Sequence, residues 1–264
     1  MERHQQGHIE TLRARIARLR PGAPAQQAQA VRRFGVTAID ARLPGGGLVC
    51  GALHEAAGTG PETEHAATAT LFVAGVMARC NGPVLWVLER ADLFAPALAN
   101  AGLPPGRVIF VEAGREALAA MEECLRERGV AGVVGETSQR VSLTASRRLQ
   151  LAAEASGALG FLLRRSRQFD DPRLAENSAA VTRWRLTALP SAPPVPDAPE
   201  VPGLAAARWQ LDLVRCRGGE PATWIVEAPD AQGHLRLVSD LSDRPAAADG
   251  RGGAGRHVPD RLRA

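Results

Sequence analysis

The amino-acid sequence predicts an α/β fold, with a mostly parallel sheet flanked by helices and with antiparallel strands added at the C-terminal part. The first observation is a series of short, nearly continuous apolar runs, such as "PVLWVLE", "RVIFVEA" and "ALGFLLRR", separated by helical segments. Strands that are buried on both faces of a parallel sheet have this composition. The second observation is a change of pattern from Arg173 onward, where polar and apolar residues alternate as they do in antiparallel strands.

The elements of the parallel part follow one another as βα units. The turn-rich "LPGGGL" leads into an apolar strand at 48–53, and the turn "GTG" leads into a helix in "ATATLFVAGVMARC". The strand "PVLWVLE" ends at Glu89, and a helix in "ADLFAPALANAGL" follows it. The strands "RVIFVEA" and "VAGVVGE" enclose an amphipathic helix, "REALAAMEECLRERG". A helix capped by Ser142 then precedes the strand "ALGFLLRR".

The C-terminal part contains four predicted strands, in "SAAVTRWRLTAL", "RWQLDLVRCRGG", "ATWIVEAP" and "GHLRLVSD". The Pro-rich stretch "PSAPPVPDAPEVPG" (190–203) separates the first two, and we predict a loop there. We therefore expect three regions in the chain. They are an amphipathic N-terminal helix and linker in 1–30, a core in 31–242, and a disordered basic tail in 243–264.

The predicted N-terminal helix has a narrow apolar stripe between arginines. A helix with so little apolar surface is not stable by itself, so we expect it to dock on its own core or on another chain. The residues of this candidate partner helix are Ile9, Leu12, Ile16 and Leu19.

The charge of the chain lies mainly in its two ends. The net charge is +4 at pH 7, but residues 1–33 hold seven Arg against two Glu, and residues 244–264 hold five Arg against two Asp. The intervening residues hold twenty Arg against twenty-four acidic residues. A core of this composition has no overall electrostatic footprint for nucleic acid, so we expect any DNA contact to be local and weak.

Composition also argues against several classes of protein. No apolar run reaches the roughly 18 residues of a membrane span, and "MERHQQGHIE" lacks the apolar segment of a secretory signal. We therefore expect a cytoplasmic protein without membrane contact. The four cysteines form no C-x-x-C pair and the histidines have no ligand spacing, so we expect no metal site. Isolated cysteines of this kind are typically small buried apolar residues.

The stretch "HEAAGTGPETEHAATATLFVAG" has the layout of a phosphate-binding loop but lacks its chemistry. A working loop is G-x-x-x-x-G-K-[ST], in which the lysine neutralises phosphate oxygens and the hydroxyl binds Mg²⁺. Here the chain contains no lysine at all, a proline removes one N–H donor, and each carboxylate at ~5 Å from a phosphate costs about 3 kcal/mol. We predict a degenerate loop, no cofactor and no catalytic residue. Its residues are Gly58, Thr59, Gly60, Pro61, Glu62, Glu64 and His65.

Several of these segments together resemble a known family. "FGVTAIDARLPGGGLVCGALHE", the loop, "VLWVLERADLFAPALANAGL" and "VAGVVGE" follow the order of the RecA recombinase core. The later "RWRL…RWQLDLVRCRGGEPATWIVE" resembles the ImuA family, RecA-related accessory proteins of damage-induced mutagenesis in bacteria. The resemblance covers roughly residues 30–240 and implies a RecA-like fold.

The resemblance also implies a function and partners. It implies a non-catalytic adaptor in SOS-induced error-prone translesion DNA synthesis and DNA repair. The implied partners are an ImuB-type inactive polymerase homologue and, directly or through it, an error-prone polymerase III alpha subunit. Association with RecA or with a second copy of the chain stays open. Two alternatives also remain: a divergent RecA-type DNA-dependent ATPase, and a cell-division inhibitor similar to SulA.

Measured against RecA-like ATPases, further catalytic parts are altered. Glu89 stands where those enzymes carry the carboxylate that activates water, although a strand-end Glu is more often solvated or paired with a neighbour such as Arg90. Glu136 stands near the place of the acid that helps to hold Mg²⁺, displaced by Gly135. "FLLRRS" lacks the polar pair that senses the γ-phosphate.

Two further sets of residues are candidates for contact with a partner. "RRSRQFDDPR" follows a strand where RecA proteins place a DNA-binding loop, and its arginines either bind DNA or a partner or form local ion pairs. Three tryptophans on the C-terminal strands form either a core patch or an exposed docking patch. The arginines are Arg164, Arg165, Arg167 and Arg173, and the tryptophans are Trp184, Trp209 and Trp224.

Overall fold

The computed structural model describes residues 30–166, 168–195, 197–198 and 200–240. The strands are β1 (Val31–Arg32), β2 (Leu48–Val49), β3 (Ala52–Gly58), β4 (Val84–Leu88), β5 (Val108–Glu112), β6 (Gly132–Thr137), β7 (Leu159–Arg164), β8 (Thr182–Leu189), β9 (Arg208–Cys216), β10 (Ala222–Glu227) and β11 (Arg236–Asp240). The α-helices are α1 (Thr37–Asp40), α2 (Glu62–Ala78), α3 (Pro96–Asn100), α4 (Ala117–Arg126) and α5 (Leu143–Ser156). Short 3-10 turns lie at Pro44–Gly46, Pro105–Arg107, Gly114–Glu116 and Pro172–Leu174.

Nine of the strands form one mixed sheet, in the order β11-β10-β9-β8-β3-β7-β6-β4-β5. The six strands from β8 to β5 in this order are parallel to one another. β9 pairs with β8 in antiparallel orientation, and β10 and β11 extend the sheet with further antiparallel pairs. The predicted α/β class, with antiparallel strands added at the C-terminal part, is therefore confirmed. β1 and β2 form a separate antiparallel pair.

Helices cover both faces of the parallel part, because alternate residues of each strand point to opposite faces. On one face α2 packs over an aromatic core that includes Phe72, Phe161 and Trp184. On the other face α4 and α5 pack over Leu53, where the core includes Met121 and Leu149. The cap of α5 is as predicted, since the Ser142 side chain accepts a hydrogen bond from the Ala145 amide at 3.1 Å.

The strand that leads to the candidate loop differs from its prediction. It was expected at 48–53, but the chain bends at Gly51, which has φ +65°, and β3 runs from Ala52 to Gly58. His54 and Glu55 therefore lie in the middle of a central strand and not at its end. The helix predicted in "ADLFAPALANAGL" is also shorter than expected, since α3 holds only five residues.

The three tryptophans belong to the core. Trp184 and Trp224 are fully buried with ring centroids 6.3 Å apart, and Trp209 is 3% exposed. The alternative of an exposed docking patch is therefore wrong. The cysteines only partly follow expectation, because Cys80 and Cys216 are buried whereas Cys50 and Cys124 are partly exposed.

Some predictions fall outside the described part of the chain. The helix of Ile9, Leu12, Ile16 and Leu19 and the tail 243–264 lie outside the described residues. In 190–203 the described residues form neither helix nor strand. Among the helices of the described ranges, none combines the length and the apolar character that crossing a membrane requires.

Candidate functional site

The degenerate loop lies at the carboxyl edge of the parallel strands. β3 ends at Gly58, Thr59 to Pro61 form the turn, and α2 begins at Glu62. The neighbours of β3 are β7 and β8. Open α/β sheets bind their ligands at this edge, so the position is that of a phosphate loop.

The polar groups of the loop are used within the protein. The Thr59 amide donates to the Leu186 carbonyl at 3.0 Å, which ties the loop to β8. The Thr59 hydroxyl lies 3.0 Å from the Thr187 hydroxyl. The amides of Glu64 and His65 donate to the Pro61 carbonyl at 3.0 and 3.1 Å. Phosphate loops work because several amides point at the ligand, and here these amides are already bound.

Aromatic side chains cover the glycines of the loop. A Cβ atom on Gly60 would stand 2.4 Å from the Phe169 ring, and one on Gly58 would stand 2.5 Å from the His65 Cβ. The Phe169 and His65 rings meet edge to face, with centroids 5.9 Å apart. The cleft between the loop and Glu136 is narrow and has room for about one water molecule.

One of the two carboxylates expected to repel a polyphosphate is described. The Glu64 side chain is 63% exposed and lies 3.8 Å from the His65 imidazole, which is itself buried. The Glu62 side chain lies outside the described part, so the expected repulsion stays a prediction.

Glu136, at the place of the Mg²⁺-holding acid, is committed to the protein interior. It is 2% exposed, and its carboxylate accepts from the Trp86 indole N–H at 2.7 Å. The Arg165 guanidinium lies 3.5 Å from its other oxygen. Burial raises the pKa of Glu136, and the Arg165 charge and the Trp86 hydrogen bond oppose that rise. A buried carboxylate held this way is poorly placed to bind a hydrated Mg²⁺.

Glu89 is likewise engaged with groups of the protein itself. Its carboxylate accepts from the Ser138 hydroxyl at 2.7 Å and from the Ser138 amide. It therefore holds the chain that follows β6, two strands away from the loop. This geometry ties its two oxygens to protein donors and does not aim them at a water near Gly60.

The described arginines of the predicted contact loop pair with carboxylates of the protein itself. Arg164 is buried and lies 3.8 Å from the Glu55 carboxylate. Arg165 forms a two-pronged pair with Asp92 at 2.9–3.0 Å. Arg173 forms a similar pair with Asp171 at 2.6–3.1 Å.

The remaining arginine of the set, Arg167, lies outside the described residues. Arg173 also donates to the Ser138 carbonyl at 2.9 Å, which fastens the contact loop to the chain after β6. Hydrogen bonds from Arg173 hold the pKa of Asp171 below its usual range. Contact of these arginines with DNA or with a partner stays a prediction, and three of the four already have internal partners.

A buried charge cluster that the sequence did not point to lies beneath this segment. Glu55, which is 1% exposed, accepts from Arg183 at 2.9 Å, and Arg183 also donates to the Glu176 carbonyl at 2.7 Å. Arg185 donates to the Leu174 carbonyl at 2.7 Å. Burial, together with the neighbouring Arg183 charge, lowers the pKa of Arg185 to about 10. These bonds fasten the segment after β7 to the sheet.

Among the described residues, no group of three or more His, Cys, Asp or Glu side chains is arranged to hold a metal ion. The charged residues near the loop instead pair with one another and with main-chain carbonyls. The described residues of the loop are therefore tied to the rest of the protein by hydrogen bonds and packed against the Phe169 and His65 rings.

Comparison with known proteins gives the family. No protein-family model matches the chain. The chain is 44% identical over 232 residues to "Protein ImuA" of Caulobacter vibrioides strain NA1000 / CB15N, a match that spans 83% of this chain and 93% of the relative. The protein of the same name from strain ATCC 19089 / CIP 103742 / CB 15 gives the same values.

A solved structure supports the fold. The crystal structure of the RadB recombinase matches with a TM-score of 0.55 and 16% identity, over 79% of this chain and 100% of that chain. At this identity the likeness concerns the fold alone, and it confirms the RecA-like architecture. With 44% identity along nearly the whole of its ImuA relatives, the chain belongs to the ImuA family.

Proposed function

We propose that this chain is a non-catalytic RecA-like adaptor in SOS-induced error-prone translesion DNA synthesis and DNA repair, where it binds a polymerase-like protein. The observation that carries the proposal is the Phe169 ring against Gly60, which fills the space that a nucleotide phosphate needs. Membership of the ImuA family supports the biological setting.

Three other features support the absence of catalysis. The chain has no lysine to neutralise a β- or γ-phosphate, either in its own loop or from a second copy. The loop amides at Thr59 and His65 bond to protein carbonyls. Glu136 is buried against Trp86. Because these features lie on β3, α2 and β6, no single substitution restores a working site.

The partner follows from the family and not from the geometry. We propose an ImuB-type inactive polymerase homologue as the direct partner, and an error-prone polymerase III alpha subunit as a member of the same assembly. A core emptied of nucleotide chemistry offers a rigid set of surfaces for such contacts. We propose that this assembly acts in the cytoplasm.

The first experiment is titration calorimetry of the purified chain with ATP and Mg²⁺, with and without single-stranded DNA. We expect no heat of binding at about 1 mM ATP. A site that stays empty at this concentration has a binding free energy weaker than about −4 kcal/mol. Micromolar binding, or phosphate release stimulated by DNA, would contradict the proposal and favour a divergent ATPase. The same titration with the ImuB-type partner should give saturable binding.

A further inference from the structure

We propose that the turn at Phe169 is the surface through which this chain binds its protein partner, and that the partner presents an apolar pocket rimmed by basic side chains. The Phe169 turn is defined here as Ser166 with residues 168–171. The inference rests on the proposed adaptor function and names the contact surface and the chemistry that would recognise it.

The turn is held in place by its own hydrogen bonds. The Ser166 hydroxyl, which is buried, lies 2.8 Å from the Gln168 carbonyl and 3.0 Å from the Asp171 carboxylate. Asp171 accepts in addition from the Arg173 amide at 3.0 Å. The position of Phe169 is thereby fixed before any partner arrives, which lowers the ordering cost of binding.

Asp170 adds a backbone feature to this turn. Among the described residues, Asp170 is the one non-glycine residue with a positive φ, at +49°. Asp tolerates this left-handed conformation better than most residues, but the conformation is uncommon and is retained where surrounding bonds impose it. The turn is therefore built to a particular shape and does not merely connect β7 to the next segment.

The outward side of the turn is apolar and acidic. Phe169 is 58% exposed even though one edge of its ring rests on Gly60 and His65. Gln168 and Asp170 are exposed on either side of it. The side chain of Glu64, on the first turn of α2 beside His65, is 63% exposed.

Two basic residues of the same stretch face the other way. Arg164 and Arg165 have side chains 3% and 14% exposed, and their charges are paired with Glu55 and with Asp92 and Glu136. The Arg173 side chain is 38% exposed, but its charge is paired with Asp171. Among the described residues, the turn and the start of α2 thus present to solvent an aromatic ring with the carboxylates of Asp170 and Glu64, beside an arginine whose charge is already paired.

This combination favours a protein over a nucleic acid. Carboxylates beside an exposed ring repel a phosphate backbone, whereas the same carboxylates attract basic side chains at the rim of an apolar pocket. Aromatic residues held rigidly at a surface are frequent hot spots of protein interfaces, because they bury a large area with few rotatable bonds. Phe169 has this character, and Glu64 and Asp170 give the pocket its complementary charge.

The test compares variants in titration calorimetry with the purified ImuB-type partner. Phe169→Ala should weaken binding about 30-fold, the loss of a hot-spot residue worth ~2 kcal/mol, and Phe169→Leu should recover part of it. Leu151→Ala is the matched control, because Leu151 is 62% exposed on α5, and it should bind as the native chain does. Urea unfolding of each variant checks that the fold is kept.

A second pair of substitutions tests the charges. Glu64→Gln with Asp170→Asn removes both carboxylates, and Asn accepts the positive φ at position 170. We expect the association rate at low salt to fall about 5-fold and its dependence on salt to flatten. If single-stranded DNA displaces the partner from the Phe169 turn of the native chain, the assignment of this surface to a protein partner is wrong.

The outcomes separate this inference from the function on which it rests. If the native chain binds tightly and the folded Phe169→Ala variant binds with the same affinity, the proposed docking surface is wrong. The proposed adaptor function is then unaffected. Absence of binding by the native chain overturns both. Loss of affinity in Phe169→Ala, partial recovery in Phe169→Leu and native affinity in Leu151→Ala support the inference.

Discussion

Lowering the pH should destabilise this protein through one buried histidine. His54 is fully buried in the centre of β3, and its ring packs against Phe161 in a tilted arrangement with centroids 5.3 Å apart. Its Nε2 lies 2.9 Å from the Val49 carbonyl, which only accepts, so Nε2 carries the proton. Its Nδ1 lies 2.7 Å from the Thr182 hydroxyl, which donates to it. Neutral His54 is therefore fully satisfied, and a second proton on Nδ1 would force the Thr182 hydroxyl to turn and accept in place of donating.

The pKa shift gives the magnitude and the sign. Burial lowers the pKa of His54 to about 4 from its ordinary 6.5, although the hydrogen bond to Val49 opposes the shift. Between these two values the unfolded chain binds the proton and the folded chain does not, so the stability present above pH 6.5 is lost as pH falls. The loss is about 2 kcal/mol at pH 5 and about 3 kcal/mol in all near pH 4.

Urea unfolding measured at several pH values between 7 and 4 provides the assay, with His54→Gln as the comparison. Because other groups titrate in this range, the informative quantity is the difference between the two proteins. His54→Gln should be less stable at pH 7 by about 1–2 kcal/mol, since it strains the bonds to Val49 and Thr182. The gap should narrow as pH falls. Equal pH slopes for the two proteins would refute the buried neutral histidine.

Three further predictions concern the loop and the charge cluster. Gly58→Ala should destabilise the fold by about 2 kcal/mol in urea unfolding, because the new Cβ meets the backbone of His65 at 2.9 Å. Gly60→Ala should destabilise it as well, because its Cβ would stand 2.4 Å from the Phe169 ring, which the turn holds in place. Replacing residues 64–66 by Gly-Lys-Thr should not produce ATP hydrolysis in a phosphate-release assay, and strong activity would show that the loop alone was at fault. Arg183→Met should cost about 3–5 kcal/mol, because it leaves the Glu55 carboxylate buried with a weaker partner; native-like stability would contradict this account of the cluster.

The parallel strands of the fold could be predicted from local sequence patterns. The extent of β3 could not. Apolar runs such as the one at 84–88 identify buried strands because both faces are covered. His54 and Glu55 look like a strand end because they are polar. Their partners, Thr182 and Arg183, lie 128 residues away, so no local signal indicates that both are satisfied inside the sheet.

The candidate site was predicted in position but not in physical character. The missing lysine led to the prediction of a degenerate loop, which stays a prediction, whereas the family resemblance is confirmed. The sequence pointed to repulsion by Glu62 and Glu64, and the structure adds a contact that the sequence did not indicate, the Phe169 ring against Gly60. Phe169 lies more than a hundred residues beyond Gly60, and an aromatic residue in an arginine-rich loop gives no sign of where its ring rests. Contacts of this kind depend on tertiary structure.

The glycines of the loop keep a pattern whose physical cause differs from that in a working phosphate loop. In such a loop glycine lets the backbone approach a phosphate. Here a side chain at Gly58 would meet His65, and a side chain at Gly60 would meet Phe169. The same absence of Cβ atoms now lets two rings of the protein lie against the backbone. Retained glycines are therefore no argument for retained nucleotide binding, and the test of the site is whether its ligand space is empty or filled.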